Sequence, residues 1–320
     1  MNEPAAPPLL LRDVIEDPRE VVALLERNAP YTPLGGWYRP GQDLDAATNP
    51  LWFQNDWVHA GTTLPGAELF RDHPRYLEAA RRYSGAEEVV PHSVYVNVMA
   101  ALGACGPAHT DNPKFRGRER ANTPMWLLRT MLFSGLFRRF EIIQTTAIWW
   151  MDDVEGGGLA YWADGPDAPP RRHVGAMANT ALVGDNHHMF HQVEPVGPFE
   201  DRPRLVTPRA QLVPAADGSG GWVVRDRGGE AYRAPLSRYR VSVLWKADVY
   251  PTAEERRRVE TDVLSLEEVC EILGRDLEAR GHALSVDVAG LDDPALQQAV
   301  QAAYPEPRPV GVRPSIFDQR

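Results

Sequence analysis

The chain has 320 residues, a formal net charge of −10 and a hydrophobic share of 43%, enough apolar side chains to bury a full core in one large domain. The acidic balance and the scatter of its basic residues argue against nucleic acid or an anionic membrane as main partner. The greasiest stretch, Met125 to Phe133, is broken by Arg129, so no transmembrane helix is expected.

The N-terminus has Glu3 and several prolines in place of the basic and apolar regions of a secretory signal. Asp17-Pro18 suits a helix start, with Asp as N-cap and Pro at the first helical position. A loop rich in Gly, Pro and Trp follows from Pro30 to about Pro65, and a second helix is expected over Pro74 to Tyr83. The first 88 residues thus read as helical and irregular. From Val89 to Met99 the texture changes to β-branched alternation, which predicts a strand. Cys105 and Cys270 give no disulfide framework, so the expected setting is reducing and cytoplasmic.

Lys114, Arg116, Arg118 and Arg120 read as a solvated basic loop, and Thr123-Pro124 then opens an apolar stretch to Phe140 that suits an inserted helix. Ile142 to Met151 predicts a strand, Glu155-Gly-Gly-Gly158 a turn, Leu159 to Trp162 a return strand, and Ala176 to Val183 another. Gln211 to Tyr232 reads as an added hairpin around Asp217-Gly-Ser-Gly-Gly221, and Tyr239 to Trp245 as the last strong strand. Beyond Thr252 the pattern turns helical, with a capping box at Ser265-Leu-Glu-Glu268. The expected architecture is a single domain, 1–320: a mostly β core at 89–250, closed as an antiparallel double-sheet barrel, with an inserted helix at 123–140 and a hairpin at 211–232. Helical additions occupy 1–88 and 251–320.

The chemistry sits in Ala108-His-Thr-Asp111 and, 80 residues past Asp111, in His191. His109 and Asp111 are two apart, so on an extended segment both side chains point the same way. A third ligand must come from another strand, and Asn186-His-His-Met-Phe-His191 offers three histidines. His191 has the defined strand face of His-x-Val-x-Pro-Val, whereas His187 and His188 lie at the turn, one of them suited to support the ligands or face substrate. Two neutral imidazoles and a carboxylate on one face of Fe(II) leave three adjacent positions open. No CxxC or HExxH pattern competes for a metal.

The order His109-x-Asp111, His191, Arg240-x-Ser242, with the run Trp150 to Leu159, resembles the Fe(II)/2-oxoglutarate-dependent dioxygenase superfamily over roughly residues 90 to 250. The resemblance implies a double-stranded β-helix in which His109, Asp111 and His191 hold iron. It also implies that Arg240 pairs with the distal carboxylate of 2-oxoglutarate and that Ser242 hydrogen-bonds it. The chemistry independently wants such an arginine, because a planar fork binds a carboxylate bidentately and stays charged when buried. Arg238 shares the expected strand face, and Arg202 and Arg204 lie closer to the distal histidine, so all three stay open as anchors. Asn97 and Tyr95 precede the His-x-Asp segment and could touch the cosubstrate, while Trp149, Trp150 and Trp162 read mostly as core.

By that resemblance the cofactor set is Fe(II), 2-oxoglutarate and O2, with release of succinate and CO2. The expected reaction is hydroxylation, or another oxidation at a C–H bond, of a small molecule such as a natural-product or amino-acid-derived intermediate. Asp111 argues against a halogenase, because halide would need the position that its carboxylate fills. The inserted helix and the hairpin are expected to form a lid. Two rivals stay open: a cupin-like metal enzyme without 2-oxoglutarate, for which Arg240 is dispensable, and a non-catalytic ligand-binding barrel. The sequence leaves the substrate and the oligomeric state open.

Overall fold

The computed structural model describes residues 6–34, 43–100, 102–197 and 204–318. Its large sheet runs, edge to edge, Leu9–Arg12, Thr180–Gly184, Gln144–Trp150, Arg240–Tyr250, Glu88–Met99, Trp52–His59 and Thr32–Pro33, every pairing antiparallel. A smaller antiparallel sheet runs His191–Val193, Leu159–Tyr161, Arg171–His173, and the pairing of His109 with His191 extends it. Leaving aside Leu205–Val206 and the separate strands of 211–235, and counting the His109 bridge, the chain from Glu88 to Tyr250 passes large, small, large, small, small, large, small, large. That winding between two antiparallel sheets is the double-stranded β-helix expected from the sequence.

Alternation sorts each long strand between two faces. Val241, Val243, Trp245, Ala247 and Val249 join Val94, Val96, Val98, Ala147 and Trp149 in the outer core, against Val21, Leu24 and Leu25 of the helix Pro18–Arg27 and Tyr76, Ala79 and Ala80 of the helix Pro74–Ser84. Both helices begin at proline, as predicted, and Asp17 accepts from the Arg19 N–H as N-cap. The inner face carries Met99, Ile148, Trp150, Leu182 and Leu244, which pack with Leu159 and Val193 of the small sheet. Leu244 thus faces the barrel interior, and so do its alternate neighbours Arg240, Ser242, Lys246 and Asp248.

Four details differ from the sequence reading. Trp52–His59 is an eight-residue strand of the large sheet, where an irregular loop was expected. Its Trp, Asn and Asp obscure the alternation, and pairing with Glu88–Met99 decides the matter. The inserted helix covers only Met125–Ser134, because Gly135 takes a left-handed φ of 69° and ends it; a 3-10 turn follows at Arg138–Phe140. The 211–232 segment is a three-stranded meander, Gln211–Pro214, Gly221–Asp226 and Gly229–Pro235. Its Leu212, Trp222, Val224 and Ala234 lie in the outer core, so it covers the back of the large sheet and does not form the expected lid.

The helices Met125–Ser134, Leu266–Ala279 and Pro294–Ala303 form a second apolar cluster beside the barrel. The predicted capping box at Ser265 and Glu268 is formed.

Candidate metal centre

Two backbone hydrogen bonds clamp His109 to His191: the His109 N–H donates to the His191 carbonyl at 3.0 Å, and the His191 N–H to the His109 carbonyl at 2.9 Å. Asp111 N–H donates to the Asn186 carbonyl at 2.7 Å. Segments far apart in sequence are thereby fixed side by side. The imidazole centroids are 4.4 Å apart, His191 Nε2 is 3.8 Å from Asp111 Oδ1, and one donor atom from each of His109, Asp111 and His191 lies within 4.8 Å of the others.

The ring nitrogens are sorted by their partners. His109 Nδ1 faces the Pro107 carbonyl at 3.1 Å and His191 Nδ1 faces the Met189 carbonyl at 3.2 Å. A carbonyl can only accept, so Nδ1 carries the proton in each ring and Nε2 keeps its lone pair. Burial, then the neighbouring His109, push the His191 pKa down to about 4. Burial alone would raise the Asp111 carboxyl, but Lys246 and the imidazoles outweigh it and hold the group far below the usual carboxylate range. At neutral pH His191 therefore presents a neutral nitrogen and Asp111 an ionised oxygen, the protonation states that a metal requires. These donor types suit a divalent cation such as Fe(II).

Lys246 is the charged neighbour of the trio that the sequence reading missed. Its Nζ is 2.9 Å from Asp111 Oδ2 and 5.7 Å from the centre of the Tyr95 ring. Burial would lower its pKa, yet Asp111 and Tyr95 outweigh that and raise it. The signal was present in the strand itself: Arg240, Ser242, Lys246 and Asp248 are polar at every second position but Leu244.

Arg240 is only 3% exposed. Its Nε donates to the Gly157 carbonyl at 2.6 Å and its Nη1 to Ser242 Oγ at 2.9 Å, with the guanidinium 5.8 Å from the centre of the Trp150 ring. Burial, with no opposing carboxylate among the described residues, pushes its pKa down to about 9. Asn97 lies opposite Ser242 in the sheet, and its Oδ1 accepts from Trp52 Nε1 at 3.1 Å. Of the other arginines, Arg238 sits exposed in a 3-10 turn, 3.9 Å from Glu155, and does not share the inner face as expected. Arg204 is exposed against Tyr232, and Arg202 lies outside the described residues.

The remaining histidines of the cluster divide clearly. His188 Nδ1 is 2.7 Å from Asp185 and its Nε2 2.9 Å from Glu141, so both nitrogens meet carboxylates and the ring is an imidazolium. Burial opposes that charge, but the two carboxylates outweigh it and raise the pKa to about 10. His187 is buried, and neither ring nitrogen has a hydrogen-bond partner among the described residues. The 114–120 segment is less solvated than expected: Lys114 donates to the buried Asp248 at 2.6 Å, and Arg116 is buried with Asp262 at 2.6 Å.

No family model matches the chain, and no curated protein does. Solved structures with a similar outline include an oxidoreductase of the 2OG-Fe(II) oxygenase family from Burkholderia pseudomallei, at 13% identity over 73% of this chain and 79% of that one, with a TM-score of 0.39. A Pseudomonas putida prolyl-4-hydroxylase matches at 12% identity over 77% and 94%, with a TM-score of 0.38. A prolyl hydroxylase from Trichoplax adhaerens, in complex with a hypoxia inducible factor peptide fragment, matches at 8% identity over 80% and 87%, with a TM-score of 0.42. At these values the likeness is one of general outline, and the functional reading rests on this chain's own side chains. Among the described residues no helix is long and apolar enough to cross a membrane.

Proposed function

We propose that this chain is a non-haem Fe(II)/2-oxoglutarate-dependent oxygenase acting at a C–H bond of a small molecule, a natural-product or amino-acid-derived intermediate. The observation that carries the reading is the unbalanced Arg240. A buried guanidinium without a carboxylate partner is costly, and Arg240, which has none among the described residues, is held in place by Gly157 and Ser242 on the barrel's inner face. It lies on the same strand face as Lys246, which touches Asp111. A dicarboxylate whose one end reaches the metal and whose other end reaches Arg240 balances that charge.

In this reading His109 Nε2, Asp111 Oδ1 and His191 Nε2 hold Fe(II), and the carbonyls of Pro107 and Met189 fix the two rings. Arg240 and Ser242 bind the distal carboxylate, with Asn97 beside them. Leu244, Ile148 and Leu182 keep water from the space between. With the metal, 2-oxoglutarate and O2 bound, the site supplies an oxidant for C–H bonds, with succinate and CO2 as by-products. Hydroxylation is the simplest outcome that this machinery serves.

The test is anaerobic addition of Fe(II) and then 2-oxoglutarate, followed by visible absorption. Wild type is expected to develop a weak metal-to-ligand charge-transfer band. Arg240→Ala is expected to need at least about 100-fold more 2-oxoglutarate, the loss of a charge-assisted buried contact of about 3 kcal/mol. If wild type binds iron and no band forms, the cosubstrate assignment falls and the rival without 2-oxoglutarate takes its place.

A further inference from the structure

Resting on that metal and cosubstrate reading, we infer that Lys246 is a positioning residue that weakens the metal site until a dianionic cosubstrate is present, so that metal and cosubstrate bind in concert. The inner row of the strand Arg240–Tyr250 carries two cations, the buried Arg240 and the largely buried Lys246, and Asp111 is the carboxylate that meets Lys246. The neighbouring acids have partners of their own. Asp248 is held by Lys114 at 2.6 Å, by Gln144 at 2.8 Å and by His92 at 3.2 Å, and Asp185 and Glu141 close on His188. Arg240, Lys246 and Asp111 alone thus sum to one net positive charge, and a divalent cation held by Asp111 raises this to three. Two negative charges from a dicarboxylate bring it back to one.

Geometry separates the two oxygens of Asp111. Oδ1 is the oxygen that approaches His191 Nε2, at 3.8 Å, whereas Oδ2 is occupied by Lys246 at 2.9 Å and approached by Thr146 Oγ1 at 3.5 Å. Lys246 therefore leaves Asp111 one free oxygen. It also stands as a like charge beside any cation in the triad, inside a buried site where such repulsion is weakly screened. A neutral residue at 246 removes the repulsion and frees the second oxygen, and both effects favour the metal alone. A purely structural lysine predicts the opposite sign, because losing a hydrogen-bonding partner of a metal ligand loosens the site by about 10- to 100-fold.

Mn(II) affinity, read from the free-ion EPR signal, distinguishes these cases with wild type, Lys246→Met, Lys246→Arg and His109→Ala, each with and without 2-oxoglutarate. We expect Lys246→Met to bind Mn(II) alone about tenfold more tightly than wild type. The factor by which 2-oxoglutarate tightens Mn(II) binding should shrink by about the same amount, because the coupling is reciprocal. Lys246→Arg keeps the charge and should match wild type on both counts; if Lys246→Met does not fold, Lys246→Gln takes its place. Equal or weaker Mn(II) binding by the neutral variant, or an unchanged coupling factor, overturns the inference. If wild type does not bind Mn(II), or His109→Ala binds it equally well, the metal centre itself is refuted, an outcome separate from the role of Lys246.

Discussion

His188 is the side chain whose charge the structure settles most firmly. A neutral imidazole has one donor nitrogen and one acceptor, yet here both nitrogens face carboxylate oxygens, of Asp185 and Glu141. The cation bridges the turn that carries His187 to Glu141, three residues before the strand Gln144–Trp150. Because the folded pKa, about 10, is raised above the ordinary 6.5, its stabilisation is fully present below about pH 6.5 and fades as pH climbs through about 10. Asp185 acts with the reverse sign. Its pKa is lowered, chiefly by its hydrogen bond to His188 acting against burial, so its share is present above about pH 4 and fades in acid. His188→Gln is expected to cost about 3 kcal/mol at neutral pH, because two buried carboxylates lose their cation. Denaturant unfolding at pH 6 and pH 10 should show wild type losing stability over that interval and the variant losing markedly less. Equal pH dependence in both proteins would falsify the imidazolium assignment.

At the level of elements, the turn at Gly156 and Gly157 binds the fold to the chemistry. Both glycines have left-handed φ, 71° and 69°. A Cβ on Gly156 would lie 2.2 Å from the Pro195 carbonyl oxygen, and one on Gly157 would lie 2.9 Å from Arg240 Cδ. Gly157→Ala therefore strains the turn by about 1–2 kcal/mol and displaces the guanidinium that the Gly157 carbonyl holds. We expect the 2-oxoglutarate requirement to rise about tenfold, roughly one charge-assisted hydrogen bond, while Mn(II) affinity stays at the wild-type value. Titrating each ligand separately checks both halves of that expectation. The Gly-Gly-Gly turn was visible in the sequence; that it props Arg240 was not, since this depends on how the strands Leu159–Tyr161 and Arg240–Tyr250 approach one another. The same limit hid Lys246, whose partner Asp111 is 135 positions earlier in the chain. The strand Trp52–His59 lacked a clean period because its pairing with Glu88–Met99 shifts register between Asp56 and Val58, which breaks the alternation. What could be read directly were features written locally: proline and Asp17 at a helix start, the capping box at Ser265 and Glu268, and the two-residue spacing of His109 and Asp111.

Across the whole molecule the two sheets are unequal. The large sheet has strands of up to twelve residues and is backed by helices, whereas each strand of the small sheet has three. The small sheet is also where His191 sits, and the single-residue pairing of His109 is its outer edge. So short a ladder has few backbone hydrogen bonds to oppose local opening, and its residues belong to the less protected part of a native ensemble. A cation held jointly by His109, Asp111 and His191 would cross-link that edge and act only on the folded state. At a free Mn(II) concentration 100 times the dissociation constant, linkage gives about 2.7 kcal/mol of added stability, or roughly 5 °C in the melting temperature of a chain this size. Because the tie is local, the gain in amide-exchange protection should be concentrated in Leu159–Tyr161 and His191–Val193, with the centre of the large sheet changing little. His109→Ala should melt at one temperature with or without Mn(II). A uniform rise in protection across both sheets would mean that the metal stabilises the barrel as one cooperative unit, and that the small sheet is not its weak side.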